Sequence, residues 1–233
     1  MSGHSKLFQF FAQDDGVGRD CSFGAFPSRG FVARALRRGR CPSDHAFDRF
    51  LASDLRSASN QHWTPLVVAR RAAQWLEELE IRTVCDVGSG AGKFCVAAAL
   101  AGSAHFVGVE HRANLVVAAE QLAQDFGVAR RVKFVHGTFG GTRLPTAAAY
   151  YFYNSFGENV LEPDNRVDDA VELSPDRHRR DVAAAEQQLG ALPRGTYLLT
   201  YNGFGGTAPG CYSELRVDRE LPCVLRMWRK TRG

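Results

Sequence analysis

The chain has 233 residues, 45% hydrophobic and 23% charged, with a formal net charge of +4. That length holds one α/β domain with a sizeable core, or a domain and a short arm, and the composition excludes fibrous or broadly disordered classes. No apolar run approaches the ~20 residues that span a bilayer, and no charged start followed by an apolar stretch marks a signal peptide, so a cytoplasmic setting is expected.

Residues 1 to about 42 are rich in Gly, Phe, Ser and Arg and show no sustained period. They read as an irregular arm, with Phe8, Phe10, Phe11, Phe23, Phe26 and Phe31 arguing that part of it packs on the rest. Arg37-Arg38-Gly39-Arg40 and Arg177-His178-Arg179-Arg180 are basic clusters, better read as solvated surface than as a phosphate-binding face, because acids are interleaved nearby. A helix is expected from Ser43-Asp44 through Phe47, Phe50, Leu51 and Leu55. A second follows Thr64-Pro65, with Thr64 at the N-cap and Val67, Val68, Ala72, Trp75 and Leu76 on its apolar side. The arm and helical lid are expected over 1–60 and the main domain over 61–233.

From residue 81 strands and helices alternate. Strands are expected over Ile81 to Val87, Ala104 to Val109, Val132 to Val135, Ala148 to Tyr153 and Gly195 to Tyr201. Helices are expected over Gly92 to Ala101, Arg112 to Phe126 and Asp176 to Leu192. Tyr212 to Leu221 and Cys223 to Thr231 read as a closing antiparallel hairpin. The fold class that follows is a doubly wound α/β sheet, mostly parallel, with a C-terminal antiparallel hairpin and an N-terminal helical or irregular arm. None of the six cysteines forms a C-x-x-C pair, so no zinc site is expected. Cys85 and Cys95 read as small core residues in a reducing compartment.

The stretch Val84-Cys85-Asp86-Val87-Gly88-Ser89-Gly90-Ala91-Gly92-Lys93 carries the chemistry. An apolar strand ends in an acid, three glycines follow at alternate positions, and a helix begins. Ligands of open α/β sheets bind at such strand ends, and glycine lets backbone approach them. Glu110 closes the second strand, 22 residues after Gly88, where an acid accepts from ribose hydroxyls. The order is G-x-G-x-G, not the G-x-G-x-x-G that cradles a dinucleotide pyrophosphate. Asp86 would repel a pyrophosphate and favour the cationic methionine end of a sulfonium cofactor, directly or through water. Lys93 does not complete a phosphate-binding P-loop, since G-x-x-x-x-G-K-[ST] is absent.

Asp86 to Gly92 with Glu110 resembles motif I and the acidic second-strand residue of class I S-adenosylmethionine-dependent methyltransferases, and the pattern from about 64 to 231 is similar to that fold. His62-Trp63-Thr64-Pro65 and Tyr153-Asn154-Ser155-Phe156-Gly157-Glu158-Asn159 resemble a group of bacterial methyltransferase-like proteins. The resemblance implies S-adenosylmethionine as cofactor. Gly88, Ser89, Gly90 and Gly92 would line its methionine and ribose, Glu110 would bind the ribose, and His111 would lie against adenine. The third-strand end often carries an acid for the adenine amine. Here it reads His136-Gly137-Thr138-Phe139, which leaves Thr138 or a main-chain carbonyl for that contact. Thr64 would cap its helix, cradle the methionine carboxylate, or both.

On the acceptor side, Asn154 is the leading catalytic candidate, its amide oxygen accepting from an amine; the bland alternative is a turn residue. Glu158 is a second candidate, as proton acceptor or cation binder, against a plain surface acid. Tyr153 and Tyr201 end strands and face either pocket or core, and Asn202 and Phe204 follow as weaker candidates. The expected reaction is methyl transfer to a nitrogen or oxygen of a small molecule, protein or RNA. A non-catalytic Rossmann-like module and a nicotinamide-dependent dehydrogenase are the alternatives.

Overall fold

The computed structural model describes residues 27–138, 144–168 and 170–233. Seven strands form one sheet in the order β3-β2-β1-β4-β5-β7-β6. They are β1 (Thr83–Val87), β2 (His105–Glu110), β3 (Val132–His136), β4 (Ala149–Tyr153), β5 (Tyr197–Tyr201), β6 (Tyr212–Asp218) and β7 (Leu225–Lys230). β1 to β5 pair in parallel, and β7 runs antiparallel to both β5 and β6. The central strands are nearly continuous apolar runs, as strands covered on both faces must be. Strand order reverses between β1 and β4, so their carboxyl ends diverge and leave a crevice there.

The helices are α1 (Arg29–Arg37), α2 (Asp44–Asp48), α3 (Ser59–His62), α4 (Leu66–Glu78), α5 (Lys93–Ala101), α6 (Ala113–Asp125) and α7 (Pro175–Ala191). α5 is apolar all round beyond Lys93, and Lys93 to Leu100 are all buried, so it is the centre of one face. Val32, Leu36 and Phe47 of α1 and α2 belong to the same hydrophobic cluster as Leu66, Leu76, Phe94 and Phe106. The N-terminal helices therefore share the core of the sheet. α7 packs Ala185 and Leu189 on the opposite face with Val87, Phe152, Phe156 and Phe204. No described helix is long and apolar enough to cross a membrane.

Three expectations need correction. Residues 29–37 of the expected irregular arm form α1, capped by Ser28, which accepts from the Phe31 N–H. The expected helix through Leu55 ends at Asp48. Beyond it the chain makes isolated i→i+3 turns, and the Leu51 carbonyl accepts from Arg56 Nε instead of continuing a helix. Leu51 and Leu55 still point inward, which is why their spacing mimics a longer helix. Thr64 is not the N-cap of α4: its hydroxyl pairs with the Tyr151 hydroxyl at 2.9 Å. The first turn of α4 is capped from a distance, by Asp44 Oδ1 accepting from the Leu66 N–H at 2.9 Å.

Two cations, half-buried Arg131 and buried Lys230, close helix C-termini, where partial negative charge collects. Arg131 donates to the carbonyls of Ala99 and Gly102 at the end of α5. Lys230, 3% exposed, donates to Gly190 and Leu192 at the end of α7. Removing Lys230 takes a charged donor from both carbonyls, and a hydrogen bond to a charged group contributes roughly 1.5–3 kcal/mol, less where water can replace it as at exposed Gly190. Lys230→Met is expected to lower the unfolding free energy by about 2 kcal/mol in a denaturant titration; an unchanged midpoint would contradict this capping role.

Candidate functional site

A cavity with an empty volume of about 930 Å³, including its open mouth, lies at the carboxyl ends of β1, β2 and β4. Gly88, Gly90, Glu110, His111, Trp63, Asn154, Phe156 and Glu158 are among its lining residues. Its floor is the turn from β1 into α5. Gly88, Gly90 and Gly92 all have positive φ (+76°, +52° and +79°), which only glycine adopts without strain. At Gly90 a Cβ would also sit 2.3 Å from Trp63 Nε1, so the bare backbone is what lets the indole close over the loop.

Glu110 ends β2 beside that turn and is 5% exposed. Its Oε2 accepts from the Gly90 N–H at 2.9 Å and its Oε1 from the Arg112 N–H at 3.0 Å. Each oxygen can accept a further hydrogen bond, and Glu110 lines the cavity. Arg112 then spans the site. Its guanidinium forms a bidentate pair with Glu158 (both 2.9 Å), bonds Asp168 at 2.7 Å, and donates to His111 Nε2 at 2.9 Å. Since guanidinium only donates, His111 holds its proton on Nδ1. Burial lowers the pKa of both His111 and His62, favouring their neutral forms.

Residues 154–168 form the roof, in two short 3₁₀ turns, Gly157–Val160 and Pro163–Asn165. Arg112 holds the roof through Glu158 and Asp168. On the other side the Asn165 carbonyl accepts from Gln61 Nε2 and bonds His62 Nε2 at 3.0 Å, linking it to α3. Asn154 opens the roof at φ +43°, a region few non-glycine residues occupy. Its backbone is fixed at both ends: its N–H donates to Gly203 and its carbonyl accepts from Gly157. The amide side chain lies over Gly157, where a Cβ would come within 2.5 Å of its atoms. Strain held this way collects at functional positions.

The sequence candidates divide in two. Gly88, Gly90, Glu110, His111, Asn154 and Glu158 meet on the cavity wall. Thr64, Asp86, Ser89, Gly92 and Thr138 do not line it. Thr64 is occupied by Tyr151, and Gly92 packs on Phe134 and Ala119. Ser89 turns toward Gly108, and Thr138 is exposed beyond β3. Phe139 lies outside the described residues. Asp86, read as a direct or water-mediated hook for a cation, instead points into the core and accepts from Cys95 Sγ at 3.2 Å. Burial raises its pKa to about 7, so near neutral pH it carries only part of a charge. Glu158 is no free base: Arg112 and the Val167 N–H already occupy its oxygens. Tyr153 faces the cavity, whereas Tyr201 is buried and its hydroxyl accepts from the Cys223 N–H. Arg112, Arg177, Asp181 and Leu161 also line the wall, and no local motif marks them. Arg112 follows Glu110 at the start of α6, Leu161 comes with the folded-over roof, and Arg177 and Asp181 come with α7.

Residues 80–149 match a family model described as a methyltransferase domain. The matched span covers β1, the glycine turn, α5, β2, α6 and β3, so it contains the floor of the cavity and Glu110. No curated protein matches the sequence. Among solved structures the chain is similar to an RNA methyltransferase from Salinibacter ruber in complex with S-adenosyl-L-homocysteine, at 21% identity and TM-score 0.52. That match covers 73% of this chain and 94% of the other. A candidate O-methyltransferase from Klebsiella pneumoniae matches at 14% identity and TM-score 0.53, over 86% of this chain and 96% of its own. The mitomycin 7-O-methyltransferase matches at 16% and 0.52, over 88% and 61%. These likenesses show the fold: the seven-stranded sheet of class I methyltransferases with its reversed last strand.

The Asp86 environment has a measurable sign. An unfolded aspartate titrates near 4. Between about pH 4 and 7 the unfolded chain releases this proton while the folded chain keeps it, so Asp86 lowers stability as pH rises through that window. Asp86→Asn removes the titration. Its unfolding free energy is expected to fall less than the parent's between pH 5 and pH 8; an identical fall in both would show that Asp86 is not held protonated.

Proposed function

We propose that the chain transfers a methyl group from S-adenosylmethionine to a nitrogen, or failing that an oxygen, of an acceptor. The observation that carries the reading is Glu110, a buried carboxylate on the cavity wall fastened to the Gly90 N–H, with accepting capacity left on both oxygens. That pair of acceptors fits a ribose diol. Gly88, exposed and without a side chain, leaves room for the rest of the ligand beside it. When bound, the cofactor supplies an already activated methyl on sulfonium. The protein's task is then alignment and exclusion of water.

Glu110 holds the ribose, while Gly88 and Gly90 give close backbone approach. His111, neutral and fixed by Arg112, offers a flat face beside the ribose for the adenine. Trp63 closes the loop side. Asn154 is the acceptor-side group: its amide oxygen accepts from an amine N–H and turns the nitrogen lone pair toward the methyl. The fixed backbone at Asn154 supports this, because a positioned amide must not swing. Glu158 serves through Arg112, holding the roof down rather than moving a proton. Asp86, Ser89, Gly92 and Thr64 support the cavity from behind it. Thr138 and Phe139 keep their role as candidate adenine neighbours from the sequence pattern alone, Phe139 lying outside the described residues.

Titration calorimetry with S-adenosylmethionine tests the cofactor, with NAD as control. Micromolar binding is expected, weakened tenfold or more, about 1.4 kcal/mol, by Glu110→Ala; no binding, or preference for NAD, would end the reading. With labelled methyl and a panel of acceptors, Asn154→Ala is expected to lower turnover about a hundredfold with cofactor affinity nearly unchanged. A parallel loss of cofactor binding would place Asn154 on the cofactor rather than the acceptor.

A further inference from the structure

Lys93 has no part in the chemistry above, yet it is a lysine 1% exposed, at the first position of α5 directly after the glycine turn. A buried ammonium needs full compensation. It has it: Nζ lies 2.7 Å from Asp44 Oδ1, 2.8 Å from Asp48 Oδ1 and 2.9 Å from Ser59 Oγ. All three partners come from the N-terminal layer, two from α2 and one from α3. The same Asp44 oxygen accepts from the Leu66 N–H at the start of α4. One cation thus ties the end of the glycine turn to three helices that precede it.

The layer it holds is the one that reaches the cavity. Ser59 begins α3, and four residues on stands Trp63, packed against Gly90. Between them Gln61 and His62 hold the roof through the Asn165 carbonyl. Among the described residues, the ion cluster is the polar connection between the turn that floors the site and the segment that covers it. Without Lys93, buried Asp48 and half-buried Asp44 would repel each other and draw water, and α2 and α3 would move outward.

We infer that Lys93 is a positioning residue for the cofactor site: through Asp44, Asp48 and Ser59 it latches residues 44–64 onto the glycine turn, so that Trp63 and His62 close over bound S-adenosylmethionine. This rests on the S-adenosylmethionine reading above. It also requires reciprocity: if the latch favours binding, binding must favour the latched segment.

The test combines titration calorimetry with hydrogen exchange on the full chain, using S-adenosylmethionine as the probe. In the parent protein the ligand is expected to slow exchange across 57–64. In Lys93→Met, affinity is expected to fall at least tenfold and that ligand-induced protection to vanish, while β1, β4 and β5 keep theirs. Ser59→Ala is the mild variant, losing one hydroxyl; its affinity is expected to fall three- to tenfold at an unchanged melting temperature. If Lys93→Met unfolds the sheet, Ser59→Ala decides alone. Parental affinity in Ser59→Ala, or unaltered ligand protection of 57–64 in a folded Lys93→Met, would overturn the latch while leaving the cofactor reading standing. Failure of the parent protein to bind would overturn the cofactor reading and the latch with it.

Discussion

The bond from the Gly90 N–H to the Glu110 carboxylate is the junction on which the site depends. It joins the turn after β1 to the end of β2, two elements that meet only because the parallel sheet sets Val87 beside Val109. A buried carboxylate without donors would neutralise or swing out. Here two main-chain N–H groups fix it as an acceptor at the cavity floor. Gly90 must be glycine for two reasons at once, its positive φ and the indole stacked against it.

Around this junction the buried charges act as fasteners. Arg112 secures the roof through Glu158 and Asp168, Lys93 secures the N-terminal layer through Asp44 and Asp48, and Arg131 and Lys230 close helix ends. Such pairs are costly to desolvate and gain little over apolar packing. What they give is register: each fixes one segment at one place relative to the β1–β4 crevice. The site is therefore assembled mainly from four stretches (61–63, 87–90, 109–112 and 153–168), each tied to another by a charged or backbone hydrogen bond, with Arg177 and Asp181 of α7 completing the wall.

Much of this was legible in the chain. The alternation of apolar strands and helices located β1 to β5 and β7 within two residues, because burial leaves so strong a pattern, while β6 stops three residues short of the expected Leu221. Gly88, Gly90 and Glu110 were legible because their chemistry requires those residue types at that spacing. What escaped depends on distance. α1 was hidden in an arm whose glycines and arginines masked Val32, Ala33, Ala35 and Leu36. Thr64 looked like a cap because caps are local, yet the cap came from Asp44, 22 residues away. Glu158 looked like a free acid because its partner Arg112 is 46 residues away. Asp86 looked like a cavity acid because it stands one residue before the end of β1, whereas strand alternation turned it into the core.

The most direct test of the central claim is a crystal structure of the protein grown with S-adenosylhomocysteine. The ribose hydroxyls should lie within hydrogen-bonding distance of Glu110, with the ligand running beside Gly88 and Gly90 beneath Trp63 and the 154–168 roof. A ligand bound elsewhere, or one in this cavity that leaves Glu110 without a hydroxyl, would contradict the account.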